Sequence, residues 1–358
     1  MIPYFTEKFG NAASRTHSYG WISEEAVQHA RSQAAGILGA TAEELIFTSG
    51  STESINLAMK GVYHSYRSKG NHLVTLATEH KATLDTCAQL ENEGARITYL
   101  PVQPDGIVDL ELIRNAILPE TILVTVMLAN NETGVLQDIH AISNIVHERE
   151  TIMMSDITQA CGKIRVDVSE LGIDLACMSA HKLYGQKGSG VLYVRRKNPR
   201  VRLEAQIHGG GHEHGLRSGT LNVPGIVGLG AACERAADLL WDDADRISSL
   251  RTRLEQFLTG ECGAIVNGNF RNRLPNTSNV SFPGLRADDL IGRWKNDLAV
   301  SSGSACSSAL PEPSHVLIAM GLTSDAARSS VRFSLGRFTT IEEIDFACER
   351  IRKALTEV

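Results

Sequence analysis

Ser179-Ala180-His181-Lys182 is the stretch on which the reading of this chain turns. It follows the apolar run Leu175-Ala176-Cys177-Met178 and leads into Tyr184-Gly185-Gln186-Lys187-Gly188-Ser189-Gly190. A lysine at the end of a buried strand is partly desolvated, which favours the neutral amine, and a neutral amine attacks aldehydes to form an imine. On this stretch alone, an ordinary surface lysine at a strand end is the commoner explanation. What the neighbouring strands end in decides between the two.

Upstream, apolar residues at helical spacing run from Glu24 to Leu38, ending at Gly39. Leu45-Ile46-Phe47-Thr48 reads as a strand, followed by Ser49-Gly50-Ser51-Thr52-Glu53 and a helix through Ile55, Leu57, Ala58 and Val62. A strand, Ser/Gly turn and helix together offer N–H groups and hydroxyls to a phosphate, although helix capping by Ser49 or Ser51 explains the segment equally well. Further strands are expected at Leu73–Leu76, ending at Glu79-His80, at Ile97–Leu100, and at Ile122–Leu128, ending in Asn130-Asn131-Glu132-Thr133-Gly134. Ile152-Met153-Met154-Ser155-Asp156 and Leu175–Met178 follow, and Val191–Val194 leaves the lysine turn. Strands alternating with helices predict an α/β fold with a mostly parallel sheet covered on both faces.

Ligands of such sheets bind beyond the carboxyl ends of the strands. Ser51 and Thr52, His80, Asn131, Asp156 with Gln159, and Ser179, His181 and Lys182 all fall there. Each has a local alternative in turns or caps, but one ligand accounts for all of them. The chemistry they support is that of pyridoxal 5'-phosphate (PLP). Lys182 is expected to hold the cofactor as an imine, and Asp156 to keep the pyridine nitrogen protonated. His80 is expected to stack on the ring, Asn131 and Gln159 to bond its oxygen, and Ser51, Thr52, Ser179 and His181 to surround the phosphate.

The composition is that of an ordinary globular protein: 358 residues, 42% hydrophobic, 21% charged, with a net charge of -6. The acidic balance argues against nucleic acid or an anionic membrane as the main partner. No apolar run is long enough to span a bilayer, and nothing at the amino terminus suggests export. The 7 cysteines are scattered and form no Cys-x-x-Cys pair, which points to a reducing, cytoplasmic location. Length predicts two domains, placed at 1–236 and 237–358, with helical periodicity from Val227 to Leu258 forming the link. The second unit is expected to contain Asn279–Phe282 and Val331–Ser334 as strands, with helices at Asp288–Trp294 and Glu342–Leu355.

Two other segments carry chemistry. His208-Gly209-Gly210-Gly211-His212-Glu213-His214 clusters histidines around a glutamate, but the spacing and three glycines suit a rim or contact loop better than a metal site, so no metal is expected. Cys306 lies in Ser301-Ser302-Gly303-Ser304-Ala305-Cys306-Ser307-Ser308, a small polar setting for a reactive thiol rather than a core filler. Arg332 suits bidentate capture of a substrate carboxylate.

Together these stretches resemble the class I cysteine desulfurases of the IscS type, in the NifS/IscS family of fold-type I PLP enzymes. The likeness runs through Phe9–Ser14, Thr48–Glu53, Thr78–Lys81, Asn130–Gly134, Asp156–Gln159, Ser179–Lys182, His208–Glu213, Arg217–Thr220, Ser301–Cys306 and Arg332–Phe338. The resemblance implies a homodimer in which Thr220 reaches the phosphate of the partner subunit's cofactor. It implies conversion of L-cysteine to L-alanine, with Lys182 as the base at Cα, His80 as a proton-transfer partner, and Asn131 and Arg332 on the substrate carboxylate. Cys306 would take the sulfur as a persulfide and pass it to an iron–sulfur scaffold protein or to sulfur carriers for tRNA thiolation. Against the family pattern, the sequence starts after the strand bearing Tyr-Leu-Asp-x-x-Ala-Thr-Thr and ends soon after Leu355, short of the tail that helps engage the scaffold. Ala180 replaces a familiar glycine and Ile157 an alanine. Two alternatives remain at this level: a selenocysteine lyase or related PLP β-eliminase, and a truncated non-catalytic partner subunit.

Overall fold

The computed structural model describes residues 1–302 and 312–356. Its main sheet contains β1 (Leu45–Thr48), β2 (His72–Leu76), β3 (Arg96–Leu100), β4 (Thr121–Thr125), β5 (Ile152–Asp156), β6 (Leu175–Ser179) and β7 (Gly190–Val194). The strand order is β1-β7-β6-β5-β4-β2-β3. Adjacent strands from β6 to β3 run parallel, while β7 is antiparallel to both β6 and β1. The predicted mostly parallel sheet is therefore present, with one reversed strand. Nothing in Val191–Val194 could have signalled the reversal, because a strand buried on both faces is uniformly apolar in either direction.

Alternate strand residues divide between two cores, as the period of two requires. Phe47, Val74, Val124, Met153, Met178 and Tyr193 face one core, and Ile46, Leu73, Leu123, Met154, Cys177 and Leu192 face the other. The first is closed by α2 (Ser18–Gly36), α5 (Leu110–Ala116), α6 (Ile139–His147) and α7 (Val223–Asp238), with the short α1 (Pro3–Thr6) at its margin. The second is closed by α3 (Ser51–Tyr66) and α4 (Lys81–Asn92).

A third core lies beyond α7. There α8 (Leu240–Gly260), α9 (Ala287–Trp294) and α12 (Ile341–Thr356) cover a sheet of order β10-β9-β8, formed from Ser330–Ser334, Thr277–Ser281 and Ile265–Val266. Trp294 is 1% exposed between Phe282 and Phe333; burial of an aromatic of this size contributes about 2–3 kcal/mol. Short helices α10 (His315–Ala319) and α11 (Ser324–Arg328) carry a satellite cluster around Leu317 and Met320.

Three expected boundaries need correction. The apolar run Ile122–Leu128 is not one regular strand: the ladder stops at Thr125, after which Val126 and Leu128 donate to Met154 O and Asp156 O at 3.0 Å each. The chain stays beside β5 and remains buried, which is why the run looks continuous. The first long helix begins at Ser18 rather than Glu24, because His17 Nδ1 accepts from Gly20 N at its start. The run from Val227 is two helices starting at Val223, where Asn222 caps α7.

Candidate active site

Register explains how distant segments meet. Gly190 is paired with both Thr48 and Ser179, so the ends of β1 and β6 flank it. A Cβ on Gly190 would lie 2.5 Å from Gly50 Cα, so only glycine admits this approach, and Gly50 itself has φ +152°. The turn entering α3 is thereby pressed onto Ser179. Ser51 N donates to Ser179 Oγ at 2.8 Å, and Ser51 Oγ lies 2.9 Å from Ser179 Oγ and 2.6 Å from Thr158 Oγ1. Three hydroxyls thus converge at the N-terminus of a 16-residue helix, a ready cradle for a phosphate. Thr52 is exposed at the same turn.

Sequence reasoning assigned no role to Thr158 or to the brace behind the cradle. Glu53 accepts from Ser49 N and from Arg217 Nε, both at 2.8 Å. Burial pushes the Glu53 carboxyl upward, but the Arg217 and Ser49 hydrogen bonds outweigh it and hold the group below its usual range. The brace joins the phosphate turn to the Arg217-Ser218-Gly219-Thr220 loop. Thr220 is exposed on that loop.

Ser179 leads directly into a 3-10 turn, Ala180–Lys182. Lys182 and His181 lie on its solvent side, so the desolvation expected of Lys182 is not met by the single chain. Ring desolvation, then the charges of Lys182 and Lys187, lower the His181 pKa. Asp156 ends β5 opposite Cys177 and is 8% exposed; its Oδ1 accepts from Thr158 N at 2.9 Å. Gln159 follows in the same turn, where Lys163 Nζ donates to its main-chain oxygen at 2.8 Å and to Oε1 at 3.4 Å.

The other side of the site is built from the ends of β2 and β4. His80 caps α4, its Nδ1 accepting from Ala82 N at 3.1 Å. That bond leaves Nε2 as the nitrogen free to carry and exchange a proton. Beside it, Glu79 is fully buried, and Oε1 accepts from Met127 N at 2.7 Å. Burial, with a further push from Asp156, raises the Glu79 carboxyl well above the usual range despite that bond. Asn131 lies in a turn held by Asn130, whose Oδ1 accepts from Glu132 N and Thr133 N. Arg332, from β10 of the third core, donates to Asn131 O at 2.8 Å. The two residues assigned to a substrate carboxylate therefore adjoin. Next to them, Ser314 donates to Glu132 Oε2 and His315 Nε2 is paired with Glu79 O. Desolvation raises the Glu132 pKa, overcoming the Ser314 bond and the Arg332 charge.

Cys306 lies outside the described residues. In the histidine loop, Glu213 turns inward: it takes a bidentate bond from Arg31 at 2.6 and 2.9 Å and accepts from Phe47 N at 2.7 Å. That glutamate is engaged in the fold. Among the described residues, no group of three or more His, Cys, Asp or Glu is arranged for a metal ion.

The donor set fits PLP. A phosphate finds the hydroxyl cradle, a pyridinium nitrogen finds a buried carboxylate, and an aldehyde finds Lys182. Asn131 Oδ1, buried and without a hydrogen-bond partner among the described residues, marks a polar group awaiting a ligand. Fold and site together define a PLP-dependent enzyme of fold type I. The sequence matches the aminotransferase class-V family over residues 1–346. It is 52% identical over 350 residues to the cysteine desulfurase IscS of Haemophilus influenzae (strain PittGG), covering 98% of this chain and 86% of that protein. It is 54% identical over 347 residues to the cysteine desulfurase IscS of Aeromonas hydrophila subsp. hydrophila, covering 97% and 85%. Among solved structures, a NifS-like protein superposes with a TM-score of 0.93 at 36% identity, covering 100% of this chain and 94% of that one. A structure described as SspA in complex with cysteine gives 0.83 at 36% identity, covering 94% of each chain. The chain belongs to the class-V aminotransferase family, whose IscS and NifS relatives are PLP-dependent.

Proposed function

We propose that this chain is a cysteine desulfurase that converts L-cysteine to L-alanine and delivers the sulfur to iron–sulfur cluster assembly. One observation carries the reading: the hydroxyl cradle, the buried Asp156 and the Lys182 turn meet at one sheet edge in a chain 52% identical to IscS enzymes along nearly its whole length. Bound PLP supplies an electron sink for charge that develops at the substrate Cα. Ser51, Thr52, Ser179 and His181 would hold its phosphate, joined by Thr158 at the cradle and by Thr220 across a homodimer contact. Asp156 would keep the ring nitrogen protonated, Gln159 and Asn131 would bond the ring oxygen, and His80 would stack on the ring.

Lys182 anchors the cofactor and then serves as the base at Cα, with His80 Nε2 as a second proton carrier. Arg332 and Asn131 hold the substrate carboxylate. The Cys306 thiolate attacks the cysteine sulfur as its bond to Cβ breaks. The released carbon centre is protonated to alanine and Cys306 carries the sulfur as a persulfide, so the atoms and electrons balance without an external oxidant. The persulfide is then offered to an iron–sulfur scaffold protein or to sulfur carriers for tRNA thiolation. Exposed Phe9, Tyr19, Trp21 and Ile22 support a homodimer contact. The separate third core supports two domains, 1–236 and 237–358. The scattered thiols support a cytoplasmic setting.

Product analysis tests the reading. With L-cysteine and PLP the protein should form alanine and a persulfide in equal amounts, and Cys306→Ser should lose persulfide formation while still binding PLP. Pyruvate and ammonia as the products would instead identify a β-eliminase.

A further inference from the structure

We propose that Lys163 is a positioning residue of the cofactor end of the site, whose ammonium fixes the Gln159 side chain and places a second positive charge beside Lys182. This rests on the reading of Lys182 as the cofactor lysine. An ammonium has three donors and no acceptor, so the Gln159 amide bonded to Lys163 must turn its oxygen towards it. With its oxygen turned to Lys163, the amide directs its NH2 group away from the ammonium. That group suits an acceptor, such as the ring oxygen of PLP. The stronger bond, to Gln159 O at 2.8 Å, ties the ammonium to the main chain of the same turn.

Packing brings this turn against the lysine turn. Gly162 has φ +71°, and a Cβ there would lie 2.3 Å from Leu183 Cδ2 and 3.0 Å from Ala236 Cβ. A side chain at position 162 would have to displace the end of Leu183 and crowd Ala236 of α7. The glycine lets them close on one another, and Leu183 directly follows Lys182.

Charge coupling follows from that proximity. Desolvation chiefly, with the Lys182 charge acting in the same direction and Cys161 opposing, lowers the Lys163 pKa to about 8. Interaction between two titrating groups is mutual, so a cation at 163 makes the proton on the Lys182 nitrogen easier to lose. The Cys161 thiol beside Lys163 is raised by burial to about 12 and so is neutral at working pH, while on the lysine turn Lys182 and Lys187 both act on His181. At the packing contact α7 contributes the uncharged Ala236.

The test is a pH titration of the visible cofactor band in PLP-loaded parent, Lys163→Gln and Lys163→Arg proteins. The midpoint should rise by about one pH unit in Lys163→Gln. In Lys163→Arg, which keeps its charge above the Lys163 pKa, it should stay level or fall. An unmoved midpoint in Lys163→Gln overturns the proposal. If that variant does not fold, a raised midpoint in Lys163→Arg overturns it. A parent protein without any cofactor band defeats the reading of Lys182 as well, which separates the two failures.

Discussion

The two ends of the site are built in contrasting ways. At the phosphate end, Ser51, Thr158 and Ser179 satisfy one another at the strand ends of a single sheet, locked by the pairing of Gly190 with two strands. At the substrate end, the contact between Asn131 and Arg332 joins the main sheet to the third core. There Asn131 Oδ1, Arg332 Nε and Glu79 Oε2 are buried without hydrogen-bond partners among the described residues. An unpaired buried polar atom costs about 1–3 kcal/mol, which a ligand with complementary groups relieves. One end is preorganised to keep a cofactor. On the proposed reading, the other holds Arg332 Nε as a donor for a substrate carboxylate.

Substitutions should separate these ends. The largest effect is expected from Arg332→Gln, which removes a charged partner for the substrate carboxylate. Steady-state kinetics with L-cysteine should show kcat/KM falling by about a hundredfold or more, while the cofactor spectrum and PLP affinity stay at parental values. A loss of PLP binding in this variant would break the division. Thr158→Val, nearly isosteric, deletes one hydroxyl from the cradle and should weaken PLP binding by about tenfold. At saturating PLP its KM for L-cysteine should match the parent, and a raised KM would show that the two ends are not independent.

The fold was legible because period-two burial and strand-end punctuation are local signals. The C-terminal turns of β2, β5 and β6 follow such punctuation, whereas β4 ends at Thr125, before its apolar run does. What escaped depends on pairing between distant segments. Thr158 sits in the same short motif as Asp156 and Gln159, yet its role appears only when β1 and β6 share Gly190 and bring Ser51 within 2.6 Å. The Glu53–Arg217 brace joins residues 164 positions apart, beyond any window of periodicity. Glu213 looked like part of a histidine cluster, and only the fold shows it directed to Arg31. Lys163 was hidden because a lysine four residues after Gln159 has no sequence signature.

The most direct test of the central claim is chemical. The PLP-loaded protein should be reduced with borohydride, digested and mapped by mass spectrometry. A pyridoxyl phosphate adduct on the peptide containing Lys182, and absent from that containing Lys163, is the predicted result. An adduct on Lys163, or a loaded protein in which neither lysine is modified, would contradict the account.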